Sequence, residues 1–145
     1  MKLGEFRILV ASLGVAALTL QGCGKYEDGP AISLRTKNSR LTGEWKLVDD
    51  NNGGWIDDET EMVFEFQDDG DFKMSVTYTY EYYGQTQTYS YSYLGEWEWL
   101  SGKETVLINM DNDLITLNIL KLTSEELSTE YIYGSNVQEW HFEKQ

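Results

Sequence analysis

One cysteine, one proline and one histidine in 145 residues set the first limits. A lone Cys23 cannot form an intrachain disulfide or a Cys-based zinc cluster. A lone His141 rules out a multi-histidine metal site and leaves at most one imidazole for acid–base work. Basic residues are scarce as well: 11 Lys and Arg stand against 25 Asp and Glu, a formal net charge of −14. Nucleic-acid affinity comes mainly from Lys and Arg neutralising phosphates, so nucleic acid is not an expected partner. The chain is too short for separate cofactor and substrate domains. No nucleophile elbow, P-loop or dinucleotide fingerprint occurs in it. No catalytic residue, cofactor or metal is therefore assigned, and the chain is read as a binding protein, not an enzyme. What it does have is aromatic surface. Five Trp, ten Tyr and five Phe are far more than a disordered chain carries.

The N-terminus reads as an address. Lys2 and Arg7 precede a 13-residue apolar run, Ile8 to Leu20, in the pattern of a secretory signal. The run is too short to span a bilayer, which takes about 20 apolar residues. It ends in Leu20-Gln21-Gly22-Cys23, which resembles a bacterial lipobox: an aliphatic residue, a small residue, then the cysteine to be acylated. Gln21 departs from the commoner Ala or Ser. The resemblance implies a lipoprotein signal peptide over 1–22, lipidation of Cys23 with diacylglycerol and palmitate-type chains, and a membrane as a partner through that cysteine. Gly24 is compatible with sorting to an outer membrane. Glu27 and Asp28 resemble a surface-export mark. Loss of Lys2, Arg7 and Glu5 with the signal would leave nine basic against 24 acidic residues. Anionic headgroups repel such a surface, so the lipid must do the anchoring.

Residues 23–41 read as a lipidated tether and a short helical turn. Gly24 to Ile32 holds two Gly and the only Pro and shows no periodicity. Ser33 is positioned to cap a turn that puts Leu34, Lys37 and Leu41 on one side. From Thr42 onward the period is two, the mark of half-buried strands rich in aromatic and β-branched residues. Strands are expected near 43–50, 61–68, 71–82, 86–94, 95–100, 104–110, 114–122, 126–133 and 137–143, separated by turn signals of which Asp69-Gly70 is the strongest. Eight or nine strands joined by short turns imply an all-β domain over 42–145. An antiparallel up-and-down barrel follows, since closure removes exposed edges.

Gly43-Glu44-Trp45, at the start of the first strand and just after the helical turn, resembles the G-x-W signature of lipocalins and their calycin relatives. In that family the Trp packs across the base of the barrel and the Gly lets the entering backbone come close. With the lipobox, the linker and the Phe66-x-x-Asp69-Gly70 hairpin, the layout from Cys23 to Gln145 resembles a bacterial lipocalin-like lipoprotein. That resemblance implies a barrel binding a small apolar or amphipathic molecule. The departures are a strand-like C-terminus (VQEWHFEK) in place of a helix, no disulfide, and Lys144 where the family has a late Arg over the Trp. The calycin-type barrel is thus better supported than the family's ligand preferences, which are not carried over.

Candidate ligand-binding residues are Tyr78, Tyr80, Tyr82, Tyr89, Tyr91, Tyr93, Trp97 and Trp99. Tyrosine joins an apolar body to a polar tip, so a Tyr row can line a cavity and still hydrogen-bond a ligand or stack on a sugar. The alternative is cross-strand Tyr pairing that merely stabilises a long ribbon. Either the barrel interior holds a ligand, or the barrel is filled and an exposed Tyr/Trp patch binds a protein or glycan. Asp49 to Asp57 partly matches a calcium loop, but position 12 is Thr60 where a bidentate Glu belongs, so a solvated acidic loop is the better reading. Glu96 and Glu98 form a carboxylate pair without further support for catalysis. The expected state is a monomer in the cell envelope, at the outer membrane and facing the cell surface.

Overall fold

The structure, a computed structural model, describes residues 36–51, 53–111 and 113–145. The signal segment, Cys23, the tether to residue 35 and Ser33 lie outside the described residues. The fold is all-β. One short helix, α1 (Lys37–Leu41), leads into eight strands: β1 (Gly43–Asp49), β2 (Thr60–Phe66), β3 (Asp71–Tyr82), β4 (Gln85–Trp99), β5 (Thr105–Met110), β6 (Asp113–Leu122), β7 (Glu126–Tyr133) and β8 (Asn136–Lys144). Each strand pairs antiparallel with the next, and β8 pairs back onto β1, which closes a lipocalin-like up-and-down barrel. Every ladder closes within residues 43–144, so the barrel needs no other part of the chain to complete its sheet.

One detail differs from the sequence reading. The expected strands 86–94 and 95–100 are one strand, β4, running through Gly95. Gly95 is there for close approach: a Cβ would overlap the Asn109 carbonyl oxygen and stand 2.8 Å from Met110 Cγ. The expected strand boundary at this glycine is in fact the place where β5 begins to pair with β4. Gly95→Ala is expected to lower unfolding stability by about 2 kcal/mol, because two strand backbones must part to admit a methyl group. Urea denaturation of the variant checks it. At the start of α1, Thr36 Oγ1 caps the helix by accepting the Ser39 N–H at 3.1 Å.

Interior side chains alternate as the period of two requires. Trp45 and Leu47 on β1, Met62, Phe64 and Phe66 on β2, and Phe72 on β3 point inward with Trp97, Val106, Ile108, Leu117, Leu127, Trp140 and Phe142. Two irregularities, between Leu47 and Asp49 and between Ile119 and Lys121, reset the parity where strands bend. Phe64 is the hub. Its ring lies 5.2 Å from Phe72, 5.2 Å from Phe142 and 6.0 Å from Trp140. Side chains alone fill the lower barrel, as expected for eight strands.

The lower end is sealed by α1. Trp45, fully buried, donates its indole N–H to the Leu41 carbonyl at 2.6 Å. Lys144 Nζ sits 4.3 Å above the Trp45 ring and donates to the Thr42 and Arg40 carbonyls. Lys144 thus takes the covering position that the resemblance gives to an arginine. Arg40 donates to the Leu122 carbonyl at 3.0 Å, and Lys37 to the Lys103 carbonyl at 2.8 Å. Lys37 and Arg40 therefore hold the plug to the barrel's closed end.

At the other end the β3–β4 ribbon runs past the rim. β2 accompanies β3 only as far as Tyr78, and β5 accompanies β4 only from Glu96 onward. Beyond those points the hairpin stands on its own two strands.

Candidate ligand-binding site at the barrel mouth

Up-and-down connectivity puts the ends of β2, β4, β6 and β8 at the plug and their beginnings at the mouth. Interior positions in the upper half of the barrel are Met62, Met74, Val76, Met110, Ile115, Tyr131 and Trp140. They line two adjoining cavities, an outer one of about 700 Å³ and an inner one of about 250 Å³. The two share Trp55, Met62, Met74, Met110 and Asp113. Tyr78, Tyr93 and Leu94 extend the outer wall up the hairpin.

Trp55 reaches the mouth because of Asp50. Asp50 is almost fully buried in the β1–β2 loop. Its carboxylate accepts the backbone N–H of Trp55 at 2.5 Å, of Gly53 at 3.2 Å and of Ile56 at 3.3 Å. The loop folds around that one side chain, and the Trp55 ring lands edge-on against Tyr131 and Trp140 at 5.8 and 5.6 Å. Trp55 also donates its indole N–H to Gln138 Oε1 at 2.8 Å. Tyr131 and Trp140 stack at 4.4 Å behind it. The Trp140 indole nitrogen is buried and has no hydrogen-bond partner among the described residues.

The carboxylates of the former calcium-loop reading have other work. Asp49 Oδ1 accepts the Asn51 N–H, and Asp57 Oδ1 accepts the Glu59 N–H at 3.0 Å. Hydrogen bonds from the Thr60 side chain and the Glu59 backbone hold the Asp57 carboxyl below the ordinary carboxylate range. Among the described residues no group of three or more His, Cys, Asp or Glu is arranged to hold a metal ion.

The candidate residues read from the sequence separate into three places. Tyr78 and Tyr93 belong to the mouth cavity. Tyr80, Tyr82, Tyr89 and Tyr91 stand above it on the hairpin, all exposed. They continue the interior face, since Met74 pairs with Tyr93, Val76 with Tyr91 and Tyr78 with Tyr89. Their rings also pair across the ribbon: Tyr80 stacks on Tyr89 at 5.8 Å, and Tyr78 meets Tyr91 edge-on at 6.1 Å. The hydrogen bond with Tyr89 raises the Tyr80 phenol above its ordinary pKa. On the opposite face a hydroxyl ladder, Ser75–Ser92, Thr77–Ser90 and Thr79–Thr88, meets solvent. Trp97 and Trp99 lie near the plug, away from the mouth. Trp97 is core and donates its indole N–H to the Gln67 carbonyl at 2.8 Å. Glu96 and Glu98 face outward on β4, exposed. His141 is half-buried on the outer face, with Nδ1 3.0 Å from Ser128 Oγ.

Sequence reasoning passed over the three methionines and Trp55. Apart from Met1, every methionine of the chain lines this one mouth. The signal was available in principle: Met62 and Met110 have interior parity at the mouth ends of their strands, and Met74 has interior parity further down β3, two residues before Val76.

Barrel, plug and open mouth define a lipocalin-like β-barrel with a shallow cup. Among solved structures the chain is similar to a lipocalin-like protein from Bacteroides uniformis, with a TM-score of 0.41 and 17% sequence identity over 73% of this chain and 99% of that one. No protein-family model and no curated protein matches the chain.

Proposed function

We propose that this protein is a lipid-anchored envelope lipoprotein that holds a small apolar or amphipathic ligand in the cup at its barrel mouth. The observation that carries the reading is the convergence of Met62, Met74 and Met110 on a cavity walled by Trp55, Tyr131 and Trp140. Methionine is flexible and polarisable, and it suits a surface that must repack around a guest. The filled lower barrel restricts the guest to the mouth. Its apolar part would enter the inner cavity and its polar end would face the rim and the tyrosine hairpin. The protein acts in this reading as a monomeric carrier or receptor and performs no chemistry.

The anchor reading rests on the lipobox-like segment and Cys23. Chain enters the described fold through α1 at the plug, so Cys23 joins the barrel from the end opposite the mouth. Labelled palmitate is expected in the native protein and absent from Cys23→Ser. Its absence from both would remove the anchor.

The cup is tested with the neutral fluorophore N-phenyl-1-naphthylamine and residues 24–145. Saturable binding at micromolar concentration is expected, and Met62→Gln with Met110→Gln should weaken it about ten-fold by placing amides on the apolar wall. A second reading has one observation of its own: Tyr80, Tyr82 and Tyr89 are exposed above the rim. If Tyr80→Ala with Tyr89→Ala abolished function while the methionine variant did not, an interaction module for a protein or glycan would replace the carrier.

A further inference from the structure

We propose that the cup selects cationic amphiphiles, molecules with an apolar body and an ammonium-type end held at the rim. The inference rests on the carrier reading and adds the ligand's charge. The outer cavity is lined by three carboxylic side chains, Asp57, Asp111 and Asp113, and, among the described residues, by no Lys, Arg or His. Trp55, Tyr78 and Tyr93 stand on the same wall, and their ring faces attract cations. Carboxylates beside aromatic faces, above an apolar floor, form a site for a cation with a greasy tail.

Charge along the barrel is polarised in the same sense. Lys37, Arg40 and Lys144 are committed to carbonyls at the plug. Lys121 pairs with Glu126 at 2.7 Å near the same end, and Lys46 pairs with Glu61 on the outer wall. None of these cations lines the mouth. An anionic amphiphile would bring its charge against Asp57, Asp111 and Asp113 with no counter-charge on the wall. A fatty acid is therefore the disfavoured guest.

The experiment compares octyltrimethylammonium, octanoate and octanol, each below its aggregation threshold, by tryptophan fluorescence of residues 24–145 at low ionic strength. The cation is expected to bind about ten-fold more tightly than the anion, with octanol between them. Asp111→Asn with Asp113→Asn should bring cation and anion within about three-fold of each other and leave octanol unchanged. Asn suits position 111, whose backbone is left-handed. Glu96→Gln with Glu98→Gln, away from the mouth, should preserve the full preference and so exclude a mere effect of net charge. Equal binding of cation and anion to the native protein, or a preference that survives the rim substitutions, overturns the inference while octanol binding keeps the carrier reading. Failure of all three probes to bind removes both.

Discussion

Trp45→Ala is expected to lower the unfolding free energy by about 4 kcal/mol, the range for removing a large aromatic from a core. The residue is fully buried and does three jobs at the plug. It fills the floor of the barrel, it satisfies the Leu41 carbonyl at the end of α1, and it offers a ring face to Lys144 at 4.3 Å. Truncation leaves a cavity, an unpaired helix-end carbonyl and an ammonium that has lost its aromatic partner. Trp45→Phe keeps most of the ring but loses the hydrogen bond, and should cost about half as much. Lys144→Met keeps aliphatic length but leaves the Thr42 and Arg40 carbonyls without that donor, at about 1–2 kcal/mol. Far-UV circular dichroism in urea orders the three variants. A loss below 1 kcal/mol for Trp45→Ala would mean that the plug is peripheral to the barrel's stability.

The sequence reading succeeded where one physical rule governs. Alternation of Met62, Phe64 and Phe66 with Glu61, Val63 and Glu65 reads directly as one buried and one wet face, and the ladders follow. Turn chemistry at Asp69-Gly70 is equally local, and Gly70 adopts the left-handed backbone it implies. The reading slipped where one residue type has two uses. Gly95 can end a strand or admit a neighbour's backbone, and only the position of Asn109 decides.

The site was legible in part for a similar reason. The parity of the tyrosines follows from Phe72, since positions 72 to 82 alternate without a break. Their height above the rim depends on where β2 and β5 stop accompanying the ribbon, which is a property of two other strands. Trp97 and Trp99 share the inward parity of Tyr93 but lie further down β4, so parity without height groups residues from opposite ends of the barrel. The methionines were missed because each looks like ordinary core when read strand by strand. They become a site only when the meander brings β2, β3 and β5 around the same cavity.

Asp50→Ala is expected to cost about 3 kcal/mol and to weaken binding in the cup about ten-fold. Two backbone N–H groups, those of Trp55 and Ile56, depend on this one buried side chain, and the Gly53 N–H is shared between it and the Asp50 backbone carbonyl; hydrogen bonds to a charged acceptor contribute about 1.5–3 kcal/mol each, partly recovered when the loop reopens to water. The loop carries Trp55, whose ring is a wall of both cavities. Loss of Asp50 therefore acts on stability and on the site together, which a residue that only packed the core would not do. Asp50→Asn keeps one acceptor oxygen and should fall midway on both measures. Asp49→Ala, next to it, should change little, because Asp49 accepts only the Asn51 N–H among the described contacts. Hydrogen exchange separates the effects: the Trp55 and Ile56 amides should lose protection in Asp50→Ala while the β2 and β3 amides keep theirs. Protected Trp55 and Ile56 amides in that variant, with the cup binding unchanged, would show that Trp55 is placed by its contacts with Tyr131, Trp140 and Gln138 and not by the buried carboxylate.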